Sequence, residues 1–169
     1  VGYMGGERAY EFLMPFEYGD DIVVLCDSCG YKANRDVAVG NGDFSGGSPL
    51  PMERVETPEC SSMEDLARFL GHEKSRLAKT MAYLTLDGLV LAVVRGDYEV
   101  SLEKLARLIG RPILRLATSA ELKAAGFIPG YLSPLGSEGP VTVVVDNIAA
   151  NSANLVYGAN EDGVHLLNV

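Results

Sequence analysis

The sequence predicts an α/β (α+β) fold, with a mixed or largely antiparallel central sheet and helices packed on it. Three observations lead there. Residues 81–86 and 89–94 are apolar runs that meet at Asp87-Gly88, a strong hairpin signal. Apolar residues at helical spacing follow a capping Ser or Thr at three places. Strand-like and helical patterns then alternate from residue 52 to the end.

The elements follow in order. Residues 9–14 and 22–25 read as two short strands, joined by the turn Y-G-D-D. The stretch G-N-G-D-F-S-G-G-S-P-L-P, residues 40–51, is rich in Gly, Ser and Pro and reads as a linker between segments 1–39 and 52–169. Ser61-Ser62-Met63-Glu64 reads as a capping box from Ser61 to Glu64. It opens a helix through Leu66, Ala67, Phe69 and Leu70 that Gly71 stops. The hairpin comes next. Ser101 caps a helix carrying Leu102, Leu105, Ala106, Leu108 and Ile109, and Thr118 or Ser119 caps another that ends near Gly126. Residues 141–145 read as a buried strand.

Composition bounds the function. With 169 residues and 47% hydrophobic content, the chain can bury a core without disulfides. Apolar runs fall short of the roughly 18 residues a membrane span needs, and the first residues lack a signal pattern. Cytoplasmic residence without a membrane partner is the expectation. The net charge of −9 argues against a free-standing nucleic-acid binder, because phosphate neutralisation supplies most of such a protein's affinity. Any nucleic acid is therefore touched over a small area. Cys26-x-x-Cys29 has the spacing of half a zinc knuckle, but a structural zinc needs about four ligands. A second C-x-x-C is absent and His72 and His165 are not paired, so no metal site is expected.

The sequence holds no G-x-S-x-G elbow, Walker loop or dinucleotide fingerprint. What remains are isolated polar residues in apolar surroundings. Lys79 stands at the edge of a core-like run and either snorkels to water or has a task. His165, in V-H-L-L-N-V, is either a satisfied structural histidine or a site residue. Asp146 ends V-T-V-V-V-D, and a carboxylate there either lines a site or caps a turn. Arg95-Gly96-Asp97 reads as a turn. The loop G-F-I-P-G-Y-L-S-P-L-G, residues 126–136, is stiff, apolar and punctuated by glycine. Gly130 allows close approach of a ligand, and Pro129 and Pro134 fix the backbone. Such a loop either aims backbone N–H groups at a ligand oxygen or is a rigid crossover.

Taken in order, V-E-T-P (55–58), A-K-T (78–80), V-V-R-G-D-Y-E-V (93–100), G-x-x-P-G-Y-L-S-P-L-G (126–136), V-V-V-D (143–146) and G-A-N-E-D-G-V-H (158–165) closely resemble the insertion domain of bacterial-type prolyl-tRNA synthetases, within the YbaK-like editing superfamily. The resemblance covers residues 52–169. Residues 1–39 are similar to the synthetase segment leading into that insertion, which gives Cys26 and Cys29 a bland place in the chain.

The resemblance implies a YbaK-like editing fold and hydrolysis of alanine wrongly esterified to proline tRNA. Its physical logic is double-sieve editing, in which a small second pocket admits alanine and excludes the proline ring. Residue by residue, it implies catalysis by Lys79 and His165. Lys79 would hold the terminal adenosine region, and His165 would stand near the aminoacyl group. The small pocket would be walled by Gly130, Tyr131, Leu132, Ser133 and Pro134, whose N–H groups would bind the developing oxyanion. Asp146, Gly158, Ala159 and Asn160 complete the implied substrate-binding set. Ser133 stands where glycine is expected, which bears on pocket size. Editing would need no cofactor, ATP serving only aminoacylation by the full-length parent. The implied partners are the aminoacylated 3′ end of tRNA(Pro) and the rest of a synthetase chain, itself homodimeric. The alternatives are a deacylase for another small amino acid, Cys or Ser, and a non-catalytic insertion that binds the tRNA acceptor arm.

Overall fold

The computed structural model describes residues 12–40, 42–44, 46–137 and 139–169. The chain forms two compact units, Val1–Gly40 and Asn41–Val169. In the first, β1 (Val23–Leu25) pairs antiparallel with β2 (Lys32–Asn34), Val24 opposite Ala33. The strand expected at 22–25 thus forms, but it pairs with the segment after it. Of the expected partner at 9–14, residues 9–11 lie outside the described residues and 12–14 form no strand. The turn between β1 and β2 carries Cys26 and Cys29. Gly30, at φ 72°, closes it by donating its N–H to the Cys26 carbonyl at 2.9 Å. That left-handed conformation favours glycine.

The second unit holds β3 (Glu53–Glu56), α1 (Met63–Leu70), a 3₁₀ turn at Lys74–Arg76, β4 (Ala78–Thr85), β5 (Gly88–Arg95), α2 (Leu102–Ile109), β6 (Arg115–Leu116), α3 (Ser119–Ala124), β7 (Thr142–Val145), α4 (Asn147–Ala150), β8 (Tyr157–Gly158) and β9 (Val164–Leu167). One sheet has the order β6-β4-β5-β7. It is antiparallel except for β5 and β7, which run parallel. The other, antiparallel throughout, has the order β3-β9-β8. A single parallel bridge, Leu77 to Val156, links them. This is the mixed sheet with packed helices that the sequence predicts.

The expected hairpin forms, but its turn comes one residue earlier than Asp87-Gly88: Thr85 pairs with Gly88, so Leu86 and Asp87 occupy the turn. Cross-strand neighbours alternate faces, as the pleat requires. Ala82 and Leu91 pack with Leu122 and Phe127 on one face. Tyr83 and Val90 pack with Leu105 of α2 on the other. β5 is buried on both faces, which is why it reads as a continuous apolar run. Ser101 and Thr118 cap α2 and α3, and Gly71 and Gly110 end α1 and α2 in the left-handed conformation.

Two other details differ from expectation. The cap of α1 is one residue later: Ser62 Oγ accepts the Asp65 N–H at 3.1 Å and donates to Asp65 Oδ2 at 2.6 Å. Two adjacent serines face two adjacent acids, and local pattern alone does not choose between the registers. The strand at 142–145 is also not buried. β7 is the sheet edge, and Val143 and Val145 are exposed.

Candidate functional site

One cavity of about 350 Å³ lies in the second unit. Residues 78–82 of β4, the start of α1, the Gly/Pro loop, Gly158 and His165 line it. Of the residues singled out above, Lys79, Gly130, Leu132, Gly158 and His165 meet there. The hairpin positions Lys79, β9 positions His165, and β8 brings Gly158 against the loop.

The loop closes on β8 through glycine. A Cβ on Gly158 would stand 2.4 Å from the Tyr131 carbonyl oxygen and 2.7 Å from that of Leu132, closer than any side chain allows. Gly130 has φ 89°, and a Cβ there would press on Ser61 at 3.2 Å. Because Ser62 takes the cap, Ser61 is free to form this wall.

Asn160 fixes the loop's shape. Its Oδ1 accepts the Ser133 N–H at 2.9 Å, and its Nδ2 donates to the carbonyls of Ser133 at 2.8 Å and Leu135 at 3.2 Å. Ser133, fully buried, turns its hydroxyl to accept the Leu135 N–H at 3.2 Å. Tyr131 donates its N–H to Ile128 at 3.1 Å. Of the four N–H groups in the expected row, those of Tyr131 and Ser133 are therefore spent, on Ile128 and on Asn160. Among the described residues, the N–H groups of Gly130 and Leu132 have no acceptor, and both residues line the cavity.

His165 is buried, with Nδ1 2.6 Å from Thr57 Oγ1. Thr57 is fully buried and this is its one side-chain partner among the described residues. A buried hydroxyl that leaves its proton unpaired pays for it, so Thr57 donates to Nδ1 and the ring proton sits on Nε2. Burial lowers the His165 pKa to about 4. The ring is a neutral donor at neutral pH, with its lone pair already occupied. The Tyr131 ring packs beside it at 5.4 Å between centroids. Lys79 is mostly buried, and its Nζ lies 2.6 Å from Glu99 Oε1 on an exposed side chain. Cys60 also lines the cavity, and burial pushes its thiol pKa up, away from the thiolate.

Several implied site residues do other work. Tyr131, Ser133, Pro134, Ala159 and Asn160 are not in the cavity wall; Tyr131, Ser133 and Asn160 support it from behind. Asp146 stands apart as the cap of α4, its Oδ1 accepting the Ile148 N–H at 2.8 Å. Arg95 and Asp97 form a two-pronged ion pair at 2.6 and 2.8 Å, which holds the turn expected there. Sequence reasoning passed over Thr57, although it lies in the quoted V-E-T-P. Local pattern gave little signal, since Thr57 follows the charged strand E-R-V-E and precedes a proline. Thr80, whose buried hydroxyl has no partner among the described residues, was also passed over. Among the described residues no group of three or more His, Cys, Asp or Glu could hold a metal ion. No helix among them is long and apolar enough to cross a membrane.

Comparison with known proteins agrees with this architecture. Residues 57–169 match the model of the aminoacyl-tRNA editing domain. The chain is 37% identical over 169 residues to the proline–tRNA ligase of Dehalococcoides mccartyi, covering 99% of this chain and 30% of that protein. It is 39% identical over 179 residues to that of Salinispora tropica, covering all of this chain and again 30% of the relative. The chain thus spans under a third of the length of these relatives. A crystal structure described as a candidate trans-editing enzyme for prolyl tRNA synthetase superposes with a TM-score of 0.62 at 23% identity, over 70% of this chain and 76% of that one. That likeness concerns the fold. With the family model spanning most of the second unit, the chain belongs to the aminoacyl-tRNA editing domain family.

Proposed function

We propose that the chain removes alanine from alanyl-tRNA(Pro) by hydrolysis, as the editing part of a prolyl-tRNA synthetase. The observation that carries this is the convergence of Lys79, His165 and the unspent N–H groups of Gly130 and Leu132 on one cavity. The esterified amino acid enters the cavity, with its carbonyl oxygen toward the Gly130 and Leu132 donors. Lys79 exchanges Glu99 for a phosphate of the terminal nucleotides. Water adds to the carbonyl carbon, and the developing oxyanion takes the loop donors. The bond to the ribose oxygen then breaks, and that oxygen leaves with a proton originating from the water. The neighbouring ribose hydroxyl relays it. His165, neutral and with Nδ1 engaged, serves as a donor and not as the base. The relatives' names support the synthetase context, and the segment 1–39 is assigned to the body of that parent, with 40–51 as linker.

The test is deacylation of alanyl-tRNA(Pro) and prolyl-tRNA(Pro) at high protein concentration by wild type and Lys79→Ala. We expect hydrolysis of the alanyl ester only, reduced at least about tenfold in the variant, as loss of one charge-assisted contact implies. Equal rates for the two proteins remove Lys79 from the site. Preference for seryl or cysteinyl esters shifts the reading to another small amino acid.

A further inference from the structure

The cavity has a second polar wall, made of backbone. Along an antiparallel pair, successive residues turn their N–H and C=O groups alternately toward and away from the partner. The Leu77 carbonyl accepts the Gly96 N–H at 2.7 Å, so Leu77, Lys79 and Met81 face β5. Ala78, Thr80, Ala82 and Leu84 face the opposite edge. Their outside bonds agree. Ala78 N–H donates to Val156 at 2.8 Å, and the carbonyls of Ala82 and Leu84 accept from Ala117 and Leu114, each at 2.9 Å.

Between those contacts the edge is open. Among the described residues, β6 pairs with β4 only at Tyr83 and Leu84, and the one β-bridge to the other sheet is that at Leu77. Among the described residues, the N–H and C=O of Thr80, the C=O of Ala78 and the N–H of Ala82 have no partner. These residues line the cavity. Unpaired backbone in such a place is costly unless something binds it. The opposite wall offers the donors Gly130 N–H, Leu132 N–H and the His165 ring.

We infer that the open edge of β4 recognises the free α-ammonium of the esterified amino acid, which donates to the Thr80 carbonyl as a residue in an added strand would. This rests on the editing reading above and names what the site requires of its substrate. The amino acid then lies between complementary walls, its ammonium on the strand carbonyl and its ester carbonyl toward the loop donors. Thr80 N–H adds a donor to the second lone pair of that ester oxygen. An acyl group without the amine leaves the Thr80 carbonyl unpaired.

The experiment uses the ¹⁵N-labelled chain and two non-hydrolysable probes, 3′-(L-alanylamino)-3′-deoxyadenosine and its isobutyrylamino counterpart. The second replaces the amine by a methyl group of similar size. The alanyl probe is expected to move the Thr80 and Ala82 amide signals and to bind at least about tenfold more tightly, as loss of a charge-assisted hydrogen bond implies. Equal affinities, binding by neither probe, or shifts that spare Thr80 overturn the inference. Hydrolysis of alanyl- and isobutyryl-tRNA(Pro) at equal rates overturns it too, while leaving the editing function standing. Amine-dependent binding without any hydrolysis does the reverse.

Discussion

At the scale of single residues, the Thr57–His165 pair is the strongest constraint on the site. It joins β9 to the end of β3 across 108 positions of sequence. Thr57→Val removes the proton that holds Nδ1 and leaves a buried ring nitrogen unpaired. The expected cost is about 1–3 kcal/mol in denaturant unfolding, with Thr57→Ser restoring most of it. The histidine also sets a pH dependence. Its pKa is about 4 in the folded chain against an ordinary 6.5. Between those values the unfolded chain binds the proton and the folded one does not. Stability from this group is therefore complete above about pH 6.5 and falls as pH drops toward 4, with a limiting slope near 1.4 kcal/mol per pH unit. Unfolding titrations of wild type and His165→Gln check this: the variant should lose that part of the slope. An unchanged slope would place the acid sensitivity elsewhere.

At the scale of elements, the loop and β8 act as one unit, because Gly158 lets the carbonyls of Tyr131 and Leu132 come within contact of its Cα. Gly158→Ala meets backbone on both, and no side chain can yield, so the loop must move out. The expected outcome is a loss of about 1–3 kcal/mol together with at least tenfold slower deacylation. Gly110→Ala is the comparison. It strains a left-handed helix end by about 1–2 kcal/mol but meets open space, so activity should hold. Equal activity in both variants would separate loop position from catalysis. This contrast also marks what was legible in the sequence. The hairpin, the helix caps and the glycine stops depend on residues within about four positions of one another, and they read correctly to within one residue, the α1 cap and the hairpin turn each being one residue off. The edge position of β7 is a fact of topology, so four valines among residues 141–145 suggested a burial that only strand order denies. Family resemblance led to Lys79, Gly130 and His165. It did not show that Asn160 consumes the Ser133 N–H, since that bond spans 27 residues. Nor did it show Thr80's open edge, which exists because β6 is only two residues long.

At the scale of the whole molecule, electrostatics sets how this chain would meet the tRNA of the proposed reaction. The net charge is −9, and several of its cations are already committed. Arg54, Lys74, Arg95, Arg111 and Arg115 each pair with a carboxylate, as does Lys79 at the cavity. The exposed pairs among these stabilise little, but together the pairs leave little positive field to attract a polyanion. Binding a nucleic acid by phosphate neutralisation steepens its salt dependence by about 0.7 per single-strand phosphate contacted. If Lys79 supplies the one substantial phosphate contact, log kcat/KM for deacylation should fall with log salt at a slope of about −1 or shallower. Covalent attachment to a tRNA-binding body would supply what the surface lacks, since a tether raises local concentration to roughly millimolar. The rate of the 169-residue chain on alanyl-tRNA(Pro), measured from low to high salt, decides the matter. A shallow slope, made shallower still in Lys79→Ala, fits a module that touches only the 3′ end. A slope near −5 would mean that it grips the acceptor helix on its own, through cations other than those at the cavity.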